Sequence, residues 1–473
     1  MLLMLSLCTC LFAKQHVKVS AFYLHPTEMA KRDTLPADYT MHMVQLRVEH
    51  SFDTPKSMAE LCFPETGNGP LAGDISISYP NMRVLTDNGW QAALPTDFGL
   101  EENRNRLITK IAYSYMPMVD GAFSLDALRD KNHYASAIYT QSTKSNWYAQ
   151  TKSQSDSIDF FFDIDPSLFF VRTSRKPVTD DMGKLHYTLQ PAEKPLEFYV
   201  FYRLEYENFR TTLADGRVNL DFLFENVDDS RCTLTDSTYN VALYANDSVA
   251  QSRMARLEQT YRAIVDLMGE EFSLPHDVTI VLSSQTLHMT FNGPKVMFSM
   301  AMRKNGEPYA AILLDHSMFM TKTLPHEIIH TCFPDFECHG FEGVFFKEAV
   351  VDYVASWLSQ AHLGEDSVFV NHQAEVAKKM VSTKQTRQLI AASNGNISIS
   401  GNDGSLDNDW IFYDFFPLQL HTYALRYDET TFVSDIVAYM LANPGGKPTF
   451  RTFTAYMKGK GYKDIEKIWK PFI

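Results

Sequence analysis

Beyond residue 13 the chain contains no run of the ~18 consecutive apolar residues that a membrane-spanning helix requires, so no span is expected there. It also lacks any dense cluster of Lys and Arg. With 57 acidic residues against 43 basic ones the formal charge is −14, a surface that repels phosphate backbones and argues against nucleic acid as a partner. No internal repeat of fixed period occurs, so the 473 residues are expected to divide among two or three ordinary domains. Cysteine is scarce, at 6 residues. Four of them, Cys62, Cys232, Cys332 and Cys338, lie past residue 13, so disulfides are permitted but nothing demands them. Cys332 and Cys338 are near enough in sequence to clip a small loop; two separate buried thiols are the other reading.

What is present is the balance of a soluble globular protein, with 45% hydrophobic and 21% charged residues. Aromatic residues reach 13%, including 33 Phe and 23 Tyr, a usage suited to pleated faces and so to a β-rich portion. The opening MLLMLSLCTCLFA is apolar, too short to cross a bilayer, and ends on a small residue, Ala13. It reads as a signal peptide over residues 1–13, which implies an exported protein, whether periplasmic, secreted or at the cell surface; an uncleaved anchor is the alternative.

From 14 to 245 the pattern is one of short alternating or aromatic-rich runs, such as MHMVQLRVEH, SIDFFFDID and LEFYVFYRLEY, parted by Gly, Pro, Asn and Asp. This predicts an N-terminal antiparallel β domain, with a long surface excursion over 131–156. The period then changes. Asn246, Asp247 and Ser248 offer N-caps, and Met254, Leu257, Tyr261, Ile264, Val265 and Met268 recur at helical spacing up to Gly269. The runs VTIVLSS (278–284) and YAAILLD (309–315) predict two strands, making 246–365 a mixed α/β unit. Residues 366–473 read as a helical region, interrupted by a polar loop over 394–409. The expected class is α+β and multidomain.

Chemistry concentrates at His326-Glu327-Ile328-Ile329-His330. Residues four apart share one helix face, so the two imidazoles of such an HExxH pattern converge on one zinc ion while Glu327 flanks the water that the ion binds. Pro325 fits immediately before, because the first turn of a helix has no use for the N–H it lacks. The motif alone does not decide the matter, since a core-facing or solvated helix with hydrogen-bonded histidines carries the same letters. A second helical run, FFKEAVVDYVASWL, supplies Glu348 eighteen residues past His330, a carboxylate suited to be the third protein ligand and to leave a fourth position for water. Asp352 follows one turn later on the same face, in place to accept the free ring N–H of a ligating histidine, although ordinary exposed pairs have the same spacing.

In these residues the chain resembles the gluzincin metallopeptidases, most closely the aminopeptidase N and glycyl aminopeptidase types, where a ligand glutamate follows HExxH at the same separation. KEAVVDY stands where that family carries a W-x-x-E-G-F-A-like segment. The resemblance implies one zinc ion per chain, a thermolysin-like catalytic domain over 246–365, an N-terminal β domain and a C-terminal helical region that contributes Tyr413. It is specific over 250–425 and loose elsewhere. In the aminopeptidase N group a tyrosine in the relative place of Tyr413 hydrogen-bonds the oxyanion, and a phenol donor needs no proton transfer to act. The family's G-x-M-E-N segment, whose glutamate anchors a substrate's free amino terminus, is missing upstream of the histidines; Glu307 is the nearest candidate for that role. Amino-terminal trimming and internal cleavage therefore both stay open. His339 and His421 are spare imidazoles near the motif.

The expected function is zinc-dependent hydrolysis of a peptide or protein substrate, with zinc on His326, His330 and Glu348, Glu327 as general base and Tyr413 on the oxyanion. Two other classes fit the same residues. One is an inactive metallopeptidase-like surface protein that binds a peptide, glycan or protein partner through its β domain. The other is a zinc hydrolase acting on other carbonyl or epoxide substrates. Nothing in the sequence sets the oligomeric state.

Overall fold

The computed structural model describes all or most of residues 14–24, 43–62, 83–92, 107–115, 139–225, 247–334, 340–379 and 410–473, with short gaps inside these spans. Segments 1–13 and 394–409, most of 131–156, and Cys232, Glu307, Cys338 and His339 lie outside the described residues.

The N-terminal half is built on a sheet of eight strands: β1 (Lys14–Leu24), β2 (Met43–Ser57), β3 (Arg83–Thr86), β4 (Gly89–Ala92), β5 (Leu107–Tyr115), β6 (Ser157–Asp163), β7 (Val178–Thr179) and β8 (Leu185–Leu189). Their spatial order is β7-β8-β6-β1-β2-β5-β3-β4. Alternation along the strands makes the core, with Val17, Val19, Val48, Phe160 and Phe162 buried while His16 and Lys18 stay exposed. All its pairings are antiparallel except that of β1 with β6, which runs parallel from Lys14 beside Ser157 to Ser20 beside Asp163. The sheet is thus mixed where antiparallel pairing alone was expected. Alternation reveals which face of a strand is buried, not which neighbour it takes.

A second sheet contains β9 (Tyr206–Leu213), β10 (Val218–Glu225), β11 (Asp277–Ser283), β12 (Ser299–Arg303) and β13 (Tyr309–Asp315) in the order β9-β10-β11-β13-β12. It begins upstream of the 246 boundary read from the change of period. The hairpin of β9 and β10 precedes the long helix α1 (Asp247–Met268), yet β10 pairs parallel with β11, and β11 parallel with β13. Pairing across an intervening helix leaves no trace in local periodicity. The helix itself ends as its pattern predicts, at Gly269 in the left-handed region with φ of 85°.

Helices follow: α2 (Thr323–Cys332), α3 (Gly340–Val344), α4 (Val350–His362), α5 (Val368–Lys379), α6 (Phe416–Ala424), α7 (Glu429–Leu441) and α8 (Phe450–Gly459). Two π-helical stretches interrupt them: Phe345–Ala349 joins α3 to α4, and Ile411–Phe415 leads into α6. The fold is therefore α+β, with N-terminal β sheets and a C-terminal helical region. Among the described residues no helix is long and apolar enough to cross a membrane.

One core unites the second sheet with the helices, from Val218 and Ile280 through Ile328 on α2 and Val354 on α4 to Phe416 and Trp469. Its densest part is aromatic. Phe345 is 0% exposed, and its ring centre lies 5.2 Å from those of Phe416 and Phe450 and 5.7 Å from that of Trp469. Emptying such a site removes transfer energy and leaves a cavity, so Phe345→Ala is expected to lower the unfolding free energy by about 3–5 kcal/mol. Chemical denaturation measures this; a loss below about 1 kcal/mol would contradict the packing role assigned to that ring.

Candidate metal centre

Helix α2 starts without an ordinary cap. Lys322 occupies the N-cap position and makes no capping bond, and the first turn holds no acidic residue. Thr321 Oγ1 instead accepts the Thr323 N–H at 3.3 Å. Pro325 falls in the first turn, where its missing N–H costs no helical bond. Ile328 and Ile329 anchor the helix in the core, and His326 and His330 share the side that meets Glu348.

His326 Nε2 lies 2.9 Å from His330 Nε2 and 3.5 Å from Glu348 Oε2, and His330 Nε2 lies 3.3 Å from the same oxygen. Zinc bonds of about 2.0–2.1 Å at tetrahedral angles put ligand atoms roughly 3.3 Å apart, so the triangle has the size that the ion needs. Two imidazoles and a carboxylate are also a donor set that zinc takes. Among the described residues no other group of three His, Cys, Asp or Glu side chains is gathered so closely. Cys332 does not join them. It is a free thiol in the core, pushed up to about 12 by burial, and Cys338, its partner in the clipped-loop reading, lies outside the described residues.

Glu348 comes from the π-helical stretch Phe345–Ala349, in which the Val350 N–H reaches back to the Phe345 carbonyl. Such wide turns are rare and recur at functional sites. Across this turn Glu348 and Asp352 address the two nitrogens of one imidazole: Glu348 Oε2 faces His326 Nε2, and Asp352 Oδ1 stands 3.2 Å from Nδ1. The second contact is at ion-pair distance but is not aligned as a straight hydrogen bond. Asp352 is 2% exposed and so is no surface charge.

Burial acts to raise the Asp352 carboxyl, but Lys322 and His326 outweigh it and hold it at about 2. Lys322 Nζ donates to both Asp352 oxygens, at 2.7 and 2.6 Å. Burial likewise opposes ionisation of Glu348, yet His330 and His326 bring that carboxyl well below its usual range. His326 is the reciprocal case. Burial depresses it, while Asp352, Glu348 and the neighbouring Glu327 raise it to about 10. A field that holds a proton so firmly favours positive charge at this point.

Glu327 is buried beside His326 on α2. Tyr413 arrives on the other π-helical stretch, Ile411–Phe415; its hydroxyl donates to Glu348 Oε2 at 3.0 Å and its ring centre is 5.7 Å from that of His326. His326, His330, Glu348, Asp352 and Tyr413 thus form one connected cluster, with Glu327 alongside. His421 is engaged elsewhere, its Nδ1 on Glu429 at 2.6 Å and its ring stacked on Phe369 at 3.7 Å.

Three further residues escaped the sequence reading. Lys322 left a signal: a cation at a helix start opposes the macrodipole, and it stands four residues before His326 on the same face, which together call for an acidic partner. His372 and Asp414 left none. They meet through Nδ1 and Oδ1 at 2.8 Å, across a separation in sequence that no local pattern spans.

Zinc at a free concentration one hundred times its Kd adds about 2.7 kcal/mol to a folded state that alone binds it. In a thermal-shift titration zinc should therefore raise the melting temperature of the wild-type chain and fail to raise that of His330→Ala or Glu348→Ala. An equal shift in those variants would put the ion elsewhere.

Solved structures resemble this chain at low sequence identity, one of them closely enough to share its fold. An aminopeptidase N family protein from Idiomarina loihiensis superposes with a TM-score of 0.54 at 10% identity, over 97% of this chain and 76% of that one. A two-domain M1 zinc metallopeptidase bound to L-arginine gives 0.47 at 11% identity, over 97% and 92% of the two chains. Leukotriene A4 hydrolase from Saccharomyces cerevisiae gives 0.41 at 10%, over 97% and 66%. No family sequence model and no curated protein sequence matches the chain. The resemblance, carried by the first of these structures, is one of fold, to an aminopeptidase N family protein.

Proposed function

We propose that the chain is a zinc metallopeptidase of the gluzincin type, akin to aminopeptidase N and glycyl aminopeptidase, that hydrolyses peptide bonds in peptide or protein substrates. The observation that supports this most directly is the triangle of His326, His330 and Glu348 with the Tyr413 phenol bonded to Glu348 and Glu327 on the same helix as the two histidines.

His326, His330 and Glu348 would hold one zinc ion, leaving a fourth position open. When bound, the ion supplies a Lewis acid for a carbonyl and acidifies water to a pKa of about 7. Asp352, beside His326 Nδ1, keeps the ring proton there and leaves Nε2 as a lone-pair donor. Glu327 takes the proton of the attacking water and returns it to the departing amine. Tyr413, whose hydroxyl is kept beside the ligand triangle by its bond to Glu348 Oε2, would offer that hydroxyl to the oxygen that gains charge. The surroundings are largely closed to solvent, so each of these polar interactions is stronger than it would be in water.

Replacing Glu327 by Gln should leave one zinc per chain, measured by elemental analysis, and lower kcat on a peptide pool about 10²- to 10⁴-fold. Undiminished turnover would remove Glu327 as the base. Tyr413→Phe is expected to lower kcat about 10²-fold or more with zinc retained.

A further inference from the structure

Lys322 Nζ sits where three segments meet. It donates to Asp352 on α4 at 2.7 and 2.6 Å, and at 3.0 Å to the main-chain carbonyl of Tyr413. Pro417, four residues after Tyr413, has no N–H with which to close an α-helical bond to that carbonyl. The next residue in the same π-helical stretch is tied as well. Asp414 Oδ1 accepts from His372 Nδ1 at 2.8 Å, and the far side of that ring faces Ser356 Oγ at 2.9 Å and Asp352 Oδ2 at 3.8 Å. Ser356, His372 and Asp414 have the order of a serine-hydrolase triad, but Ser356 is 0% exposed, so this trio meets no substrate. Its geometry is that of a brace.

We propose that Lys322 and His372 are positioning residues that clamp the Tyr413 and Asp414 turn of the C-terminal helical region to Asp352 of α4, holding the phenol and the Asp352 carboxylate that faces His326 in one buried network. Two ties on consecutive residues restrain the backbone that carries the phenol against rotation, which a single tie would leave as a pivot. Both ties end on α4 or on the helix packed against it, so the phenol and the metal ligands share one frame. His372 and Asp352 are almost wholly buried, where an unpaired charge is strongly disfavoured, and this keeps the ties closed. The role given to the phenol rests on the peptidase reading; the clamp itself rests on the geometry.

The test uses the full zinc-loaded chain. Lys322→Met should weaken zinc binding about 10- to 100-fold by chelator competition. It should also lower kcat per bound zinc about 10- to 100-fold with KM little changed, and Lys322→Arg should recover part of both. Because Lys322 acts through Tyr413, its effect on kcat should vanish in a Tyr413→Phe background. Multiplicative losses in the double variant would overturn the coupling, and so would unchanged zinc affinity and kcat in Lys322→Met. If Lys322→Met does not fold, Asp414→Asn, which keeps the shape and drops the charge, tests the same coupling: it should lose kcat in the wild-type background and not beside Tyr413→Phe. A wild-type chain without hydrolysis would end the peptidase reading, while chelator competition on Lys322→Met would still decide whether the clamp supports the zinc site.

Discussion

The convergence of His326, His330 and Glu348 within 3.5 Å of one another, in a nearly dry part of the molecule, governs what surrounds it. Three polar side chains cannot be held that close without neighbours that balance their charge and fix their direction. Asp352 answers to His326, and Lys322 answers to Asp352. Each partner is charged, buried or half-buried, and delivered by a different turn of helix. The aromatic packing around Phe345 then acts at one remove, seating the π-helical stretch from which Glu348 projects.

The C-terminal helical region belongs to this arrangement rather than lying beside it. It shares a core with the second sheet, and it brings Tyr413 to Glu348 on a π-helical stretch of its own. Two wide turns facing each other at one cluster of side chains are a costly use of backbone unless they aim something. Here one carries Glu348 and the other the phenol that bonds to it. Pro417 links sequence to this geometry, because it withholds the N–H that an α-helix would give to the Tyr413 carbonyl, the oxygen to which Lys322 donates.

The parts of this picture that were legible in the sequence are those whose physics is local. The apolar runs at β11 and β13, the helical spacing through Met268 and the i, i+4 pairing of His326 with His330 all depend on residues a few positions apart. Glu348 and Tyr413 were reachable because their order along the chain follows a known pattern. The parallel seam between β1 and β6 was not, nor was the hairpin of β9 and β10 as the start of the second sheet, since pairing between distant strands is settled by tertiary packing. The π-helical turns were equally hidden: they are a matter of which carbonyl an N–H selects, and FFKEA and IFYDF are compatible with an ordinary helix. His372 and Asp414 gain meaning only once α5 and the Tyr413 stretch are side by side.

X-ray absorption at the zinc edge of the zinc-loaded chain tests the central claim most directly. The account predicts one zinc per chain, with only nitrogen and oxygen neighbours at about 2.0–2.1 Å, close to four in number, and the outer-shell signature of two imidazoles. A sulfur neighbour at about 2.3 Å, or a shell without imidazole, would contradict it.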